Sequence, residues 1–163
     1  MLNTLRRRMA KEEEGFTLIE LMVVILIIAI LMAIAIPTFL GAQKRAQDRG
    51  AQSNLRNALT AAKTIATDNS GTFMNGAAAI TAADMTATEA SLTFDSVAAN
   101  VETVGTIIVV TDAGGANIVL YNKSASGTYF CIAATSTGTV TYDKDTSAAT
   151  GVDTLAECNS AKW

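Results

Sequence analysis

One stretch limits every fold open to this chain. From Leu21 to Ile36, sixteen consecutive residues carry no polar atom on a side chain. Counted from Phe16, the stretch as a helix is about 31 Å long, close to the thickness of a hydrocarbon core. Such a segment is a membrane helix, a cleaved secretory signal or a buried core helix. A core helix needs a large protein around it. Only 163 residues are present, and those after Ile36 are mostly Ala, Thr, Gly, Ser and Asn with scattered apolar positions. That is room for one small core.

The secretory reading has support in the basic residues Arg6, Arg7, Arg8 and Lys11 and in Ala33-Ile34-Ala35, a small-x-small cleavage pattern. Three features oppose it. Glu12, Glu13 and Glu14 stand between the bases and the apolar run, the run is longer than an ordinary signal core, and Glu20 sits near its start. Four bases precede the run, and Lys44, Arg45 and Arg49 follow it, so counting bases leans only weakly to the N-terminus inside.

The residues from Gly15 onward carry a resemblance. Gly15-Phe16-Thr17-Leu18-Ile19-Glu20 followed by apolar residues resembles the class III signal of type IV prepilins, which the pseudopilins share. Ala33-Ile34-Ala35-Ile36-Pro37 is similar to the same family's N-terminal helix. The likeness is specific from about Gly15 to Leu40, fades along the following helix and is absent beyond it. It implies that a membrane prepilin peptidase cuts after Gly15 on the cytoplasmic side and methylates the new amine of Phe16. The leader, residues 1–15, is then lost and the apolar helix is kept. It also implies that Glu20 pairs with the Phe16 amine of a neighbouring subunit during assembly. An ionised acid near the hydrocarbon edge costs a few kcal/mol unless paired, and a snorkelling interfacial acid is the alternative for Glu20 taken alone. Phe16 and Glu20 are one helical turn apart, so an intrachain pair is also open.

Pro37 falls inside a helical pattern and Gly41 follows one turn later, which predicts a kink near residues 33–41; a helix end at Pro37 is the alternative. Beyond it Ala51, Leu55, Ala58, Leu59, Ala62, Ile65 and Ala66 recur at helical spacing, with Lys44, Arg45, Arg49, Arg56 and Lys63 largely off that stripe. The spacing predicts an amphipathic continuation that stops at Asp68-Asn69-Ser70-Gly71. The basic residues suit lipid headgroups, acidic neighbours or DNA, with a solvated helix face the commoner explanation for such a run.

The expected organisation is a leader (1–15), a transmembrane and assembly helix (16–40), an amphipathic helix (41–70) and a head (71–163). The head is expected to hold a short helix within Thr81 to Leu92, with a capping box at Thr81 and Asp84, and then strands over 104–111, 116–123, 128–135 and 139–143. The class is therefore α+β: a long helix packed on a small four-stranded antiparallel sheet.

Cys131 and Cys158 are the two cysteines. Without histidine they make a poor zinc site, and in an oxidising compartment they would form a disulfide pinning the C-terminal loop. By loop entropy such a bridge contributes roughly 3–4 kcal/mol. The absence of histidine also removes Ser-His and Cys-His catalytic pairs. No phosphate-binding glycine loop is present, so no enzyme and no cofactor is indicated. A net charge of -3 gives no general case for nucleic acid. Asp143, Asp145, Asp153 and Glu157 are weak calcium candidates without EF-hand spacing. Asn122-Lys123-Ser124 is a glycosylation sequon by pattern.

Three function classes follow. The resemblance implies a pilin that polymerises with copies of itself, having the prepilin peptidase, the pilus assembly machinery and the bilayer as partners. It resides first in the membrane, N-terminus inside and head outside, and then in an extracellular filament. A pseudopilin of a protein secretion system is the second class. An anchored or secreted enzyme, receptor or binding domain is the third.

Overall fold

The structure, a computed structural model, describes residues 15–96, 103–145, 158 and 163. Two compact units divide at Ala42 and Gln43. Helix α1, Leu18–Asp68, begins in the first unit and ends in the second.

In the first unit the side chains of α1 have no cover. Every large apolar side chain from Phe16 to Leu40 is between 47% and 81% exposed. Pro37 lies inside the helix and does not end it. Its ring nitrogen has no hydrogen for the Ala33 carbonyl. One residue on, the Thr38 hydroxyl donates to the carbonyls of Ala35 (2.8 Å) and Ile34 (3.2 Å), keeping polar contacts within this turn.

The second unit is built on the amphipathic part of α1. Ala51, Leu55, Ala58, Leu59, Ala61, Ala62 and Ala66 are buried, and Ile65 packs at the margin of the same cluster. Five of the seven are alanines, which lets a sheet approach the helix backbone closely. The chain leaves α1 through Ser70 and Gly71, both at positive φ (59° and 82°). It then forms a small hairpin, β1 (Met74–Asn75) and β2 (Ala78–Ala79). Gly115, at φ 63°, sits in the turn at residues 112–116 where it passes Met74 of β1: a Cβ there would lie 2.5 Å from Met74 Cγ.

Helix α2 is Ala82–Thr88, shorter than the expected window, and Thr81 caps it. The expected capping box is present: Thr81 accepts from the Asp84 amide, and the Asp84 carboxylate accepts from the Thr81 amide at 2.8 Å. The bond from the Thr81 side chain, first among the causes, holds the Asp84 carboxyl below the usual range despite its partial desolvation. A carboxyl lowered on folding stabilises above its unfolded pKa, and the contribution is lost as pH falls through the lowered value.

The main sheet has five strands in the order β3-β4-β5-β6-β7. They are β3 (Thr93–Asp95), β4 (Thr106–Thr111), β5 (Asn117–Lys123), β6 (Tyr129–Thr135) and β7 (Val140–Asp145). The last four form the expected antiparallel meander, with Ile108 opposite Tyr121, and Tyr121 opposite Cys131. The expectation of four strands is corrected by β3, which pairs parallel to β4 at the edge. The expected start of β4 at Val104 is also corrected, because Gly105 at φ 84° turns the chain and leaves Val104 in an isolated bridge to Lys123.

Both faces of this sheet are covered. Ile107, Val109, Ile118, Leu120, Phe130, Ile132 and Ala134 join the α1 stripe in one core. Ile108, Val119, Tyr121, Cys131 and Ala133 form a second cluster with Cys158 on the other face. Two-sided cover explains why β5 and β6 read as nearly continuous apolar runs.

One inward position breaks the pattern. Asn122 is 1% exposed, and among the described residues neither atom of its side-chain amide has a hydrogen-bond partner. Its burial also removes the sequon from consideration in the folded head. An unpartnered buried amide costs about 1–3 kcal/mol, and an apolar residue of similar shape avoids that cost. Asn122→Leu is expected to raise unfolding stability by about 1 kcal/mol or more. Urea unfolding of the detergent-solubilised chain, followed by circular dichroism, checks this; a lower midpoint would show that the amide has a partner.

Candidate processing and assembly site

Gly15, Phe16 and Thr17, the described residues just before α1, are neither helical nor covered. Gly15, Phe16 and Thr17 are exposed, and nothing lies within 4 Å of a Cβ built on Gly15. Local packing therefore does not demand glycine at this position. An exposed, non-helical peptide bond between Gly15 and Phe16 is open to an external peptidase.

Helix α1 starts with a reciprocal cap made by Thr17 and Glu20. The first four amides of a helix have no intrahelical acceptor, and a side chain at the cap supplies one. Thr17 Oγ1 accepts from the Glu20 amide at 3.3 Å. Glu20 Oε2 accepts from the Thr17 amide at 2.9 Å and from the Thr17 hydroxyl at 2.7 Å. The Leu21 amide donates to the Thr17 carbonyl at 3.3 Å, closing the first helical turn. This is the Thr-x-x-Glu arrangement of a capping box. Sequence reasoning singled out Glu20 for its charge and missed Thr17, although the spacing was legible. Both bonds that the Glu20 carboxylate accepts go to Oε2, so with respect to Thr17 its Oε1 keeps its acceptor capacity.

Pro37 and Gly41 both lie within α1. The helix end considered at Pro37 is therefore corrected, since the helix runs on to Asp68. Cys131 and Cys158 are bridged, with their Cα atoms 6.0 Å apart. Trp163 adds an anchor that sequence reasoning missed. Its indole N–H donates to the Cys131 carbonyl at 2.9 Å. Its ring meets Tyr142 and Phe130 edge-on, with centroids 4.9 and 5.9 Å apart. The Arg56 guanidinium sits 4.8 Å from the ring centre. Cys158 belongs to the cluster on the outer sheet face and Trp163 to the core on the α1 face, so the two anchors grip opposite faces.

Of the calcium candidates, Asp143 and Asp145 lie on β7, while Asp153 and Glu157 lie outside the described residues. Among the described residues, no three carboxylate, thiol or imidazole groups gather as a metal site.

Comparison with known proteins supports the reading of the N-terminal segment. Residues 11–36 match the family described as the prokaryotic N-terminal methylation motif. The chain is 48% identical over 58 residues to the type IV major pilin protein PilA of Myxococcus xanthus, covering 36% of this chain and 26% of that protein. It is 44% identical over 68 residues to the type IV wide pilus major component PilA4 of Thermus thermophilus, covering 42% of this chain and 52% of that protein. The chain thus spans about a quarter and about half of the curated relatives it matches. No solved structure matches it.

Thr17→Val keeps the shape of the cap, deletes the hydroxyl and leaves the backbone bond to Glu20. Losing a cap side chain costs about 1 kcal/mol. The expected outcome is a chain that still enters membranes at normal level but is extracted into shearable fibres less efficiently. Fibre yield equal to wild type would remove Thr17 from the site.

Proposed function

We propose that this chain belongs to the type IV pilin and prepilin family and is a structural subunit of a type IV pilus. The observation that carries the reading is the capped carboxylate of Glu20, one turn from the exposed Gly15–Phe16 bond, at the head of an apolar helix with no cover of its own.

The mechanism follows from solvation. Each large apolar side chain left in water forgoes about 1.5–3 kcal/mol of burial. Summed from Phe16 to Leu40, that reaches tens of kcal/mol, more than a domain's whole stability. The helix therefore resides in lipid until copies of itself replace the lipid. Prepilin peptidase cuts after Gly15, and the new Phe16 amine receives a methyl group. The ammonium left at Phe16 is the partner an acid in an apolar bundle needs. Thr17 holds Oε2, and in this scheme Oε1 accepts from the Phe16 ammonium of a neighbouring copy. That contact fixes the register of one helix against the next.

Lipid at residues 16–40 and an oxidised cysteine pair beyond them suit an N-terminus inside and a head outside. Pro37 and Gly41 mark where α1 loosens as copies pack. The bilayer, the peptidase and the pilus assembly machinery are the partners in this scheme. Both named relatives are pilus components, which favours a pilin over a pseudopilin.

Two measurements test it. Mass spectrometry of membrane-extracted protein should find Phe16 as first residue, carrying one methyl group; a start at Ile36 would return the segment to the secretory class. Glu20→Ala should leave a folded, membrane-inserted monomer and few or no sheared filaments, with Glu20→Gln also poor. Normal filament yield from Glu20→Ala at normal expression contradicts the pairing.

A further inference from the structure

Several charges of the second unit gather on two different sides, with Asp48 on α1 and Asp143 and Asp145 on β7 standing outside that division. At about 100° per residue, Arg45, Arg49, Arg56 and Lys63 fall within about 40° of one another on α1. They lie roughly 100° round from the buried Leu55, Ala62 and Ala66. Arg56 shows which edge this flank borders, because it stacks on Trp163, which meets Tyr142 of β7. The other side is acidic. From Thr64 to Asn122 the sequence holds six acids and no base. Asp84 lies in α2, which packs beside β3, Glu89 caps the C-terminus of α2, and Asp95 ends β3 itself. Asp68, exposed, falls on the flank of α1 away from the bases.

Strands β3 and β7 are the two edges of the sheet. Five strands at about 4.8 Å spacing put those edges some 19 Å apart. That exceeds the Debye length of about 8 Å at physiological salt, so the two sides do not neutralise each other within one copy. Hydrogen bonds from Thr81 to Asp84 and from Ser91 to Glu89 keep both carboxyls below their usual range and hence charged at neutral pH.

We infer that the basic flank of α1 along β7 docks against the acidic α2–β3 side of a second copy. The inference rests on the pilus-subunit reading and names a contact between heads that the helix pairing does not supply. Because the two surfaces differ and lie on opposite edges, the contact is heterologous and leaves a free surface on each outer copy. Such contacts propagate and do not close into a pair. Lipid fits less well. In a spanning helix, a headgroup layer is about 6 Å deep on each side, whereas Arg45 to Lys63 spans about 27 Å of helix.

The experiment is a charge swap in the full chain. Arg49→Glu with Lys63→Glu reverses the basic flank and leaves Arg56 on Trp163. Asp68→Lys with Glu89→Lys reverses the acidic side and leaves the Asp84 cap. Each pair alone should lower sheared-filament yield roughly tenfold or more, since like charges would face across the contact. All four together should restore the yield toward wild type. Membrane monomer level, circular dichroism and an intact Cys131–Cys158 bridge report that the head is folded. Wild-type yield from either pair, or no restoration by the four, overturns the contact while wild-type filaments uphold the subunit reading. A fall in membrane monomer matching the fall in filaments assigns the bases to lipid and also overturns it. If the wild-type chain forms no filaments, the subunit reading fails and the contact fails with it.

Discussion

Helix α1 must satisfy two solvents with one backbone. Its first part presents apolar side chains on every side, and its second part presents them along one stripe. The five-stranded sheet answers the stripe, and among the described residues nothing answers the rest. The apolar side chains of the first part stay exposed. The alanines of the stripe serve that division: they bring the sheet close to the helix, so a small head suffices to bury one face.

Periodic features were the legible ones. Leu55, Ala58, Leu59 and Ala62 announced a buried stripe because 3.6-residue spacing is visible in sequence, and all four are buried. The meander was legible from short apolar runs separated by Gly-containing turns. Strand β3 was not, because three residues with one apolar member, Phe94, show no alternation. Ala61 lay outside the expected stripe and is buried nonetheless, which records how broadly the sheet wraps the helix. Nothing local marks Asn122 as buried, since only its register opposite Ile107 and Phe130 puts it on the inner face.

The site at the start of α1 was legible as chemistry and less so as geometry. Glu20 stood out because an acid beside sixteen apolar residues demands a partner. That Thr17 supplies one, through Oε2, depends on cap torsions that sequence spacing permits without requiring. The tail was harder still. Trp163 gave no periodic signal, and its partners, Arg56, Phe130 and Tyr142, come from three separate elements.

The bridge from Cys131 to Cys158 sets how tension passes through the head. Strand β7 is an edge strand, joined to the sheet along one side only, and edge strands peel when their hydrogen bonds are loaded one after another. A pull on the chain at Cys158 does not reach β7 first. It enters β6 directly through the sulfur atoms, and β6 is hydrogen-bonded on both sides. The covalent link is thus a load path around the weakest seam of the sheet. Under traction the head shares force among interior strands, with β7 held inside the loop as a passenger.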